Sequence, residues 1–128
     1  MNNTTGLTHL TWDMFNCTHT GQEESGMKFM ERKPVLILDK FVRKSGRTLT
    51  INLAYTSPFI ANKYPLPSNS SHRVGFAVRI KCLNPKFRMQ LIEFLLSEGV
   101  RRISFTDKEV YFDTDPLKAP MLMYGFQG

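Results

Sequence analysis

Apolar residues along this chain fall into short alternating runs, interrupted by one longer stretch of helical period. Leu49, Ile51, Leu53 and Tyr55 alternate with Thr48, Thr50, Asn52 and Ala54, the two-residue repeat of a strand with one buried face. Before them, Val35-Leu36-Ile37-Leu38 is a continuous apolar run followed by Phe41 and Val42, which suits a buried strand. Lys44-Ser45-Gly46-Arg47 lies between the two and supplies a turn, with glycine providing the positive φ that such turns need. Residues 34–55 are therefore expected to form a β-hairpin.

A third strand is expected over residues 73–82. Val74, Phe76, Val78, Ile80 and Cys82 point to one side, and Arg73, Gly75, Ala77, Arg79 and Lys81 to the other. The second face would be a bare pleat carrying three cations, solvated unless an anionic partner covers it. Asn84-Pro85 then opens a helix over about 85–98, since Asn is a favoured N-cap and Pro a favoured first residue. Gly99 closes it. Phe87, Leu91, Phe94 and Leu95 form one apolar stripe, and Met89, Ile92 and Leu96 form a second beside it. Such a helix needs the sheet on one side and another occupant, the N-terminal segment or a second copy of the chain, on the other.

Ile103 and Phe105, then Val110 and Phe112, mark a hairpin of residues 101–106 and 109–113 around Asp107-Lys108, and Met121–Tyr124 is apolar enough for a closing edge strand. The order of elements predicts an α+β fold: a mainly antiparallel sheet of five to six strands with one long helix packed on it. Residues 1–33 read as a polar arm, partly docked, in which Leu7, Leu10 and Met14 have the spacing of a short helix. Residues 34–128 read as the single α+β domain. Residues 56–72, with three prolines and a Ser-Asn-Ser-Ser run, read as a long loop holding Phe59, Lys63 and Tyr64.

Composition adds little to this picture until charge is mapped along the chain. The net charge is +6, but residues 28–88 carry thirteen Lys and Arg against only Glu31 and Asp39. Residues 1–27 hold Asp13, Glu23 and Glu24 and no Lys or Arg. A stretch so basic repels itself unless solvated or placed against an anionic partner. No basic leader with an apolar run and no stretch of about 20 apolar residues occurs, so a cytoplasmic, non-membrane protein with reduced Cys17 and Cys82 is expected.

Catalytic signatures are missing. No P-loop, dinucleotide fingerprint, G-x-S-x-G or H-E-x-x-H is present, and His9, Cys17 and His19 match no zinc spacing. No catalytic residue, metal or cofactor is expected. The candidate site is instead electrostatic. Lys81, Lys86 and Arg88 crowd the start of the helix, where the dipole and free N–H groups favour an anion such as phosphate. With Lys40, Arg43, Lys44, Arg47, Lys63, Tyr64, Arg73 and Arg79 they would make a continuous basic surface over residues 40–88. The expectation is a small non-enzymatic nucleic-acid-binding or regulatory protein, for DNA or RNA, with phosphate contacts and weak sequence specificity. The alternative is a protein–protein module docking on an acidic partner, such as an inhibitor or accessory factor of the kind viruses and phages encode, or a homodimer through the apolar helix.

Overall fold

A computed structural model describes residues 6–17, 25–56 and 71–125, without the side chains of Arg73 and Val74. The fold is α+β, with a five-stranded mixed sheet in the order β1-β2-β4-β3-β5. The strands are β1 (Ile51–Leu53), β2 (Ala77–Lys81), β3 (Arg102–Phe105), β4 (Glu109–Asp113) and β5 (Met121–Tyr124). Helices α1 (Ser25–Phe29), α2 (Arg32–Ser45) and α3 (Pro85–Ser97) accompany them, with single 3-10 turns at Trp12–Phe15 and Ser71–Val74. No helix among the described residues is long and apolar enough to cross a membrane.

Cross-strand register shows why one sheet face carries the core. Val78, Phe112 and Ile103 stand opposite one another across β2, β4 and β3, as do Ile80, Val110 and Phe105. Strand alternation puts these six on one face, where they cluster with Val35, Leu38 and Phe41 of α2 and Leu91 and Leu95 of α3. Phe41 is the hinge of the helix layer, its ring 6.1 Å from that of Phe87 and 5.3 Å from that of Phe94. Lys40 pairs with Glu98 at 2.9 Å while Arg47, just past the end of α2, lies over Phe87 at the start of α3, so the two helices run antiparallel.

The strand expected at 34–42 is helix α2, and the hairpin over 34–55 does not form. A four-residue apolar run satisfies both periods, and the positions beyond it decide. Val35, Leu38, Phe41 and Val42 lie on one helical face and are buried or half-buried, whereas Leu36, Arg43 and Lys44 are exposed. Gly46 does take a positive φ of 71°, but as the helix C-cap, its N–H donating to the Val42 carbonyl. The following strand shrinks to Ile51–Leu53 and pairs with β2 instead.

The N-terminal segment also differs from its expected short helix. Leu7, Leu10, Trp12, Phe15 and Cys17 are buried, and only a single 3-10 turn forms. Helical N–H bonds at residues 8–10 are replaced by bonds to Asp39 of α2. Its carboxylate accepts from the Thr8 N–H at 3.0 Å, the Thr8 hydroxyl at 2.9 Å, the His9 N–H at 2.7 Å and the Leu10 N–H at 2.8 Å. Gly26 lets α1 lie directly on this segment: a Cβ there would fall on the Trp12 carbonyl oxygen and 2.8 Å from the Phe15 carbonyl carbon.

The C-terminal half follows its sequence pattern closely. Asn84 caps α3, its side-chain oxygen accepting from the Lys86 N–H at 2.8 Å and the Phe87 N–H at 3.3 Å. β3 and β4 form the expected hairpin. β5 is the edge strand, but it runs parallel to β3, which makes the sheet mixed. Strand β2 begins only at Ala77, because residues 71–74 turn as a 3-10 helix.

Candidate functional site

The basic residues are distributed by three elements. The C-terminal turn of α2 presents Arg43 and Lys44 to solvent. Arg47, just beyond the Gly46 cap, folds back onto α3, its guanidinium 5.2 Å from the centre of the Phe87 ring and its Nε donating to the Gln90 side chain. At the start of α3, Lys86 is exposed, and Arg88 donates to the Asp107 carbonyl in the β3–β4 turn at 3.1 Å. Lys108 of the same turn accepts from the Cys82 N–H through its carbonyl at 2.7 Å. Lys81 ends β2 opposite Glu109 and bonds through its N–H to the Thr50 carbonyl at 2.9 Å.

These contacts bring the end of α2, the start of α3, the end of β2 and the β3–β4 turn to one end of the molecule. Arg43, Lys44, Arg47, Lys81, Lys86, Arg88 and Lys108 are all found there. None makes an ion pair among the described residues. Asp107 and Glu109 are the local counter-charges, and Glu109 accepts from the Asn52 side chain at 2.8 Å. Cys82 sits buried beneath the patch. Burial pushes its thiol pKa up, while the Arg88 and Arg47 guanidiniums pull against it.

The helix N-terminus differs in one respect from an open anion site. Its two available amides, those of Lys86 and Phe87, are already taken by Asn84, and Pro85 has none. An anion at this end meets side-chain ammonium and guanidinium groups before it meets backbone.

The other expected residues lie elsewhere. Lys40 is turned to the opposite end of the helix layer by its pairing with Glu98. Arg79 is half-buried on the second sheet face, opposite Tyr111. That face is not a bare solvated pleat: Ala77 is buried, and Gly75 is pressed against the Phe29–Met30 backbone. Lys63, Tyr64 and Phe59 lie outside the described residues, as does the side chain of Arg73.

Lys108 was hidden from sequence reasoning because a turn lysine is unremarkable until the Arg88 contact is known. A second group, on the inner part of the second sheet face, had a readable signal. Arg102 and Ser104 alternate with Ile103 and Phe105, and Tyr111 and Asp113 alternate with Val110 and Phe112. Asp113 is buried, and Arg102 directly across the ladder grips it through Nε at 2.8 and 2.9 Å. The Tyr111 hydroxyl donates to the same carboxylate at 2.6 Å. Burial raises the Tyr111 pKa well above its ordinary value, and the adjacent Asp113 carboxylate adds to it. His72 packs edge-on against Tyr111, its Nδ1–H donating to the Ala54 carbonyl at 2.8 Å. Burial lowers its pKa to about 4, with Arg79 and Lys118 adding to the effect. A neutral imidazole, a protonated phenol and a carboxylate held by Arg102 and Tyr111 form a buried polar layer rather than an acid–base pair. No cluster of metal-ligating side chains occurs among the described residues.

No family model, curated protein or solved structure matches this chain.

Proposed function

We propose that this is a small non-enzymatic nucleic-acid-binding or regulatory protein that contacts phosphates through its basic end. The observation that carries this reading is the convergence of cations from α2, α3, β2 and the β3–β4 turn without ion-pair partners among the described residues. Unpaired cations on one surface release counterions when they meet a polyanion, and affinity then falls steeply with salt. No aromatic side chain stands exposed among these cations in the described residues, so backbone contact rather than base stacking is expected.

The test is fluorescence anisotropy with labelled mixed-sequence DNA and RNA strands across a salt series. Four or five phosphate contacts predict a loss of about 10²-fold in affinity between 50 and 200 mM salt. The double variant Lys44→Glu/Lys86→Glu alters exposed residues and should weaken binding by similar factors across sequences. Absence of binding at low salt, or binding indifferent to salt, overturns the proposal.

A second reading, a protein–protein module, is favoured by one specific feature. Met89 and Leu96, two turns apart on α3, are 60% and 49% exposed, and edge strand β5 exposes Leu122 and Tyr124. Light scattering across a concentration series distinguishes a dimer from a monomer that keeps these surfaces for another protein.

A further inference from the structure

At the end of the molecule opposite the basic patch, a cleft of about 230 Å³ opens between the start of α2, the start of β3 and the segment joining β4 to β5. Lys33, Arg101, Arg102 and Lys118 line it, with Asp113 and Asp115 as its only carboxylates. Those carboxylates are already engaged. Asp113 takes the Arg102 and Tyr111 donors and the Asp115 N–H at 3.1 Å. Asp115 accepts from the Ser71 hydroxyl at 2.9 Å and the Leu117 N–H at 3.0 Å, with Lys118 4.0 Å away. Lys33 and Arg101 are exposed at the rim, and their charged side chains have no ion-pair partner among the described residues. The lining therefore carries two positive charges beyond what its own acids balance.

The chemistry of the adjoining surface changes within a few residues. A second depression of about 280 Å³ shares Gly99, Val100, Arg101 and Pro120 with the cleft and adds Leu96. Its walls are mainly apolar, and Arg101 stands at the junction of the two.

The geometry points to a binding site for a small phosphate monoester with an apolar body. The dianionic phosphate lies between Lys33 and Arg101 over the Arg102 guanidinium, and the apolar part covers Leu96, Val100 and Pro120. A dianion matches the excess of two charges, and the rim cations can reach it without breaking the Arg102–Asp113 pair. This site is separate from the nucleic-acid surface, and neither depends on the other.

The experiment is an amide NMR titration of the full chain with phenyl phosphate, inorganic phosphate and benzyl alcohol. Phenyl phosphate should shift the Gly99, Val100 and Arg101 amides saturably. Inorganic phosphate should bind there at least tenfold more weakly, and benzyl alcohol should leave these amides unchanged. Lys33→Glu/Arg101→Glu, at exposed positions, should abolish the shifts with an unchanged Tm, whereas Lys86→Glu should leave them intact. Equal affinity for phenyl and inorganic phosphate would overturn the role of the apolar half. Shifts confined to the Lys86 end, or none at all, would overturn the site.

Discussion

The buried Asp39 carboxylate of α2 holds the Leu10 N–H at 2.8 Å, so an N-terminal residue with no helix of its own is tied to the middle of a helix 29 positions away. The same carboxylate takes Thr8 and His9, which makes it the anchor of the whole segment. Asp39→Ala leaves the buried Leu10 N–H unsatisfied and frees the N–H groups of exposed Thr8 and His9 to water, and should cost about 2–3 kcal/mol in denaturant unfolding. Asp39→Asn keeps the shape and one acceptor oxygen, and should cost about half as much.

Two pH windows follow from the shifted groups. Burial works to raise the Asp39 pKa, but the Thr8, His9 and Leu10 donors overcome it and hold the carboxyl below its ordinary range. Its contribution is thus complete above the ordinary carboxylate range and is lost as pH falls through the lowered folded value. His72 acts higher. Its folded pKa of about 4 lies below the ordinary 6.5, so the unfolded chain binds a proton first as pH falls. Stability should decline by about 3 kcal/mol between pH 6.5 and 4, and His72→Gln should flatten that part of the profile in urea melts at stepped pH.

Arg102 and Asp113 predict an asymmetric response to mutation. Removing the guanidinium by Arg102→Ala leaves a buried carboxylate without its counter-ion, and should cost about 3–5 kcal/mol. Tyr111→Phe removes one hydrogen bond to the same carboxylate and should cost about 1–3 kcal/mol. The double variant should fall short of the sum, a coupling read from a double-mutant cycle by thermal unfolding.

Gly75 has a positive φ of 80°, and a Cβ there would strike the Phe29 carbonyl oxygen and lie 2.8 Å from the Met30 Cα. Gly75→Ala forces the α1–α2 junction away from the start of β2, and also loses the Glu31 N–H bond to the Gly75 carbonyl at 2.9 Å. A loss of about 2–5 kcal/mol is expected, against about 1–2 kcal/mol for Gly46→Ala, which has open space and only its φ to strain.

Helix α3 and the β3–β4 hairpin were legible because each carries its own start and stop. Asn84-Pro85 and Gly99 bracket the helix, and the alternation of Ile103, Phe105, Val110 and Phe112 sets the register of the hairpin. Helix α2 was not, because Val35-Leu36-Ile37-Leu38 has no period of its own and Gly46 serves a hairpin turn and a helix cap equally well. The basic end was half legible: its cations are in the sequence, but Lys40 and Arg79 are drawn away by Glu98 and by the Tyr111 face. Lys108 joins it only through folding.

The sequence by itself determined the excess of positive charge, which is composition alone, and the α+β class, the capped helix and the C-terminal hairpin, which rest on patterns among residues near in the chain. Only the tertiary structure decided that residues 32–45 are helical, that β5 lies parallel beside β3, and which cations share a surface. These depend on partners far away: Asp39 must meet Thr8, His9 and Leu10, and Arg47 must meet Phe87. A local pattern cannot express the free energy of contacts that exist only once the chain has closed on itself.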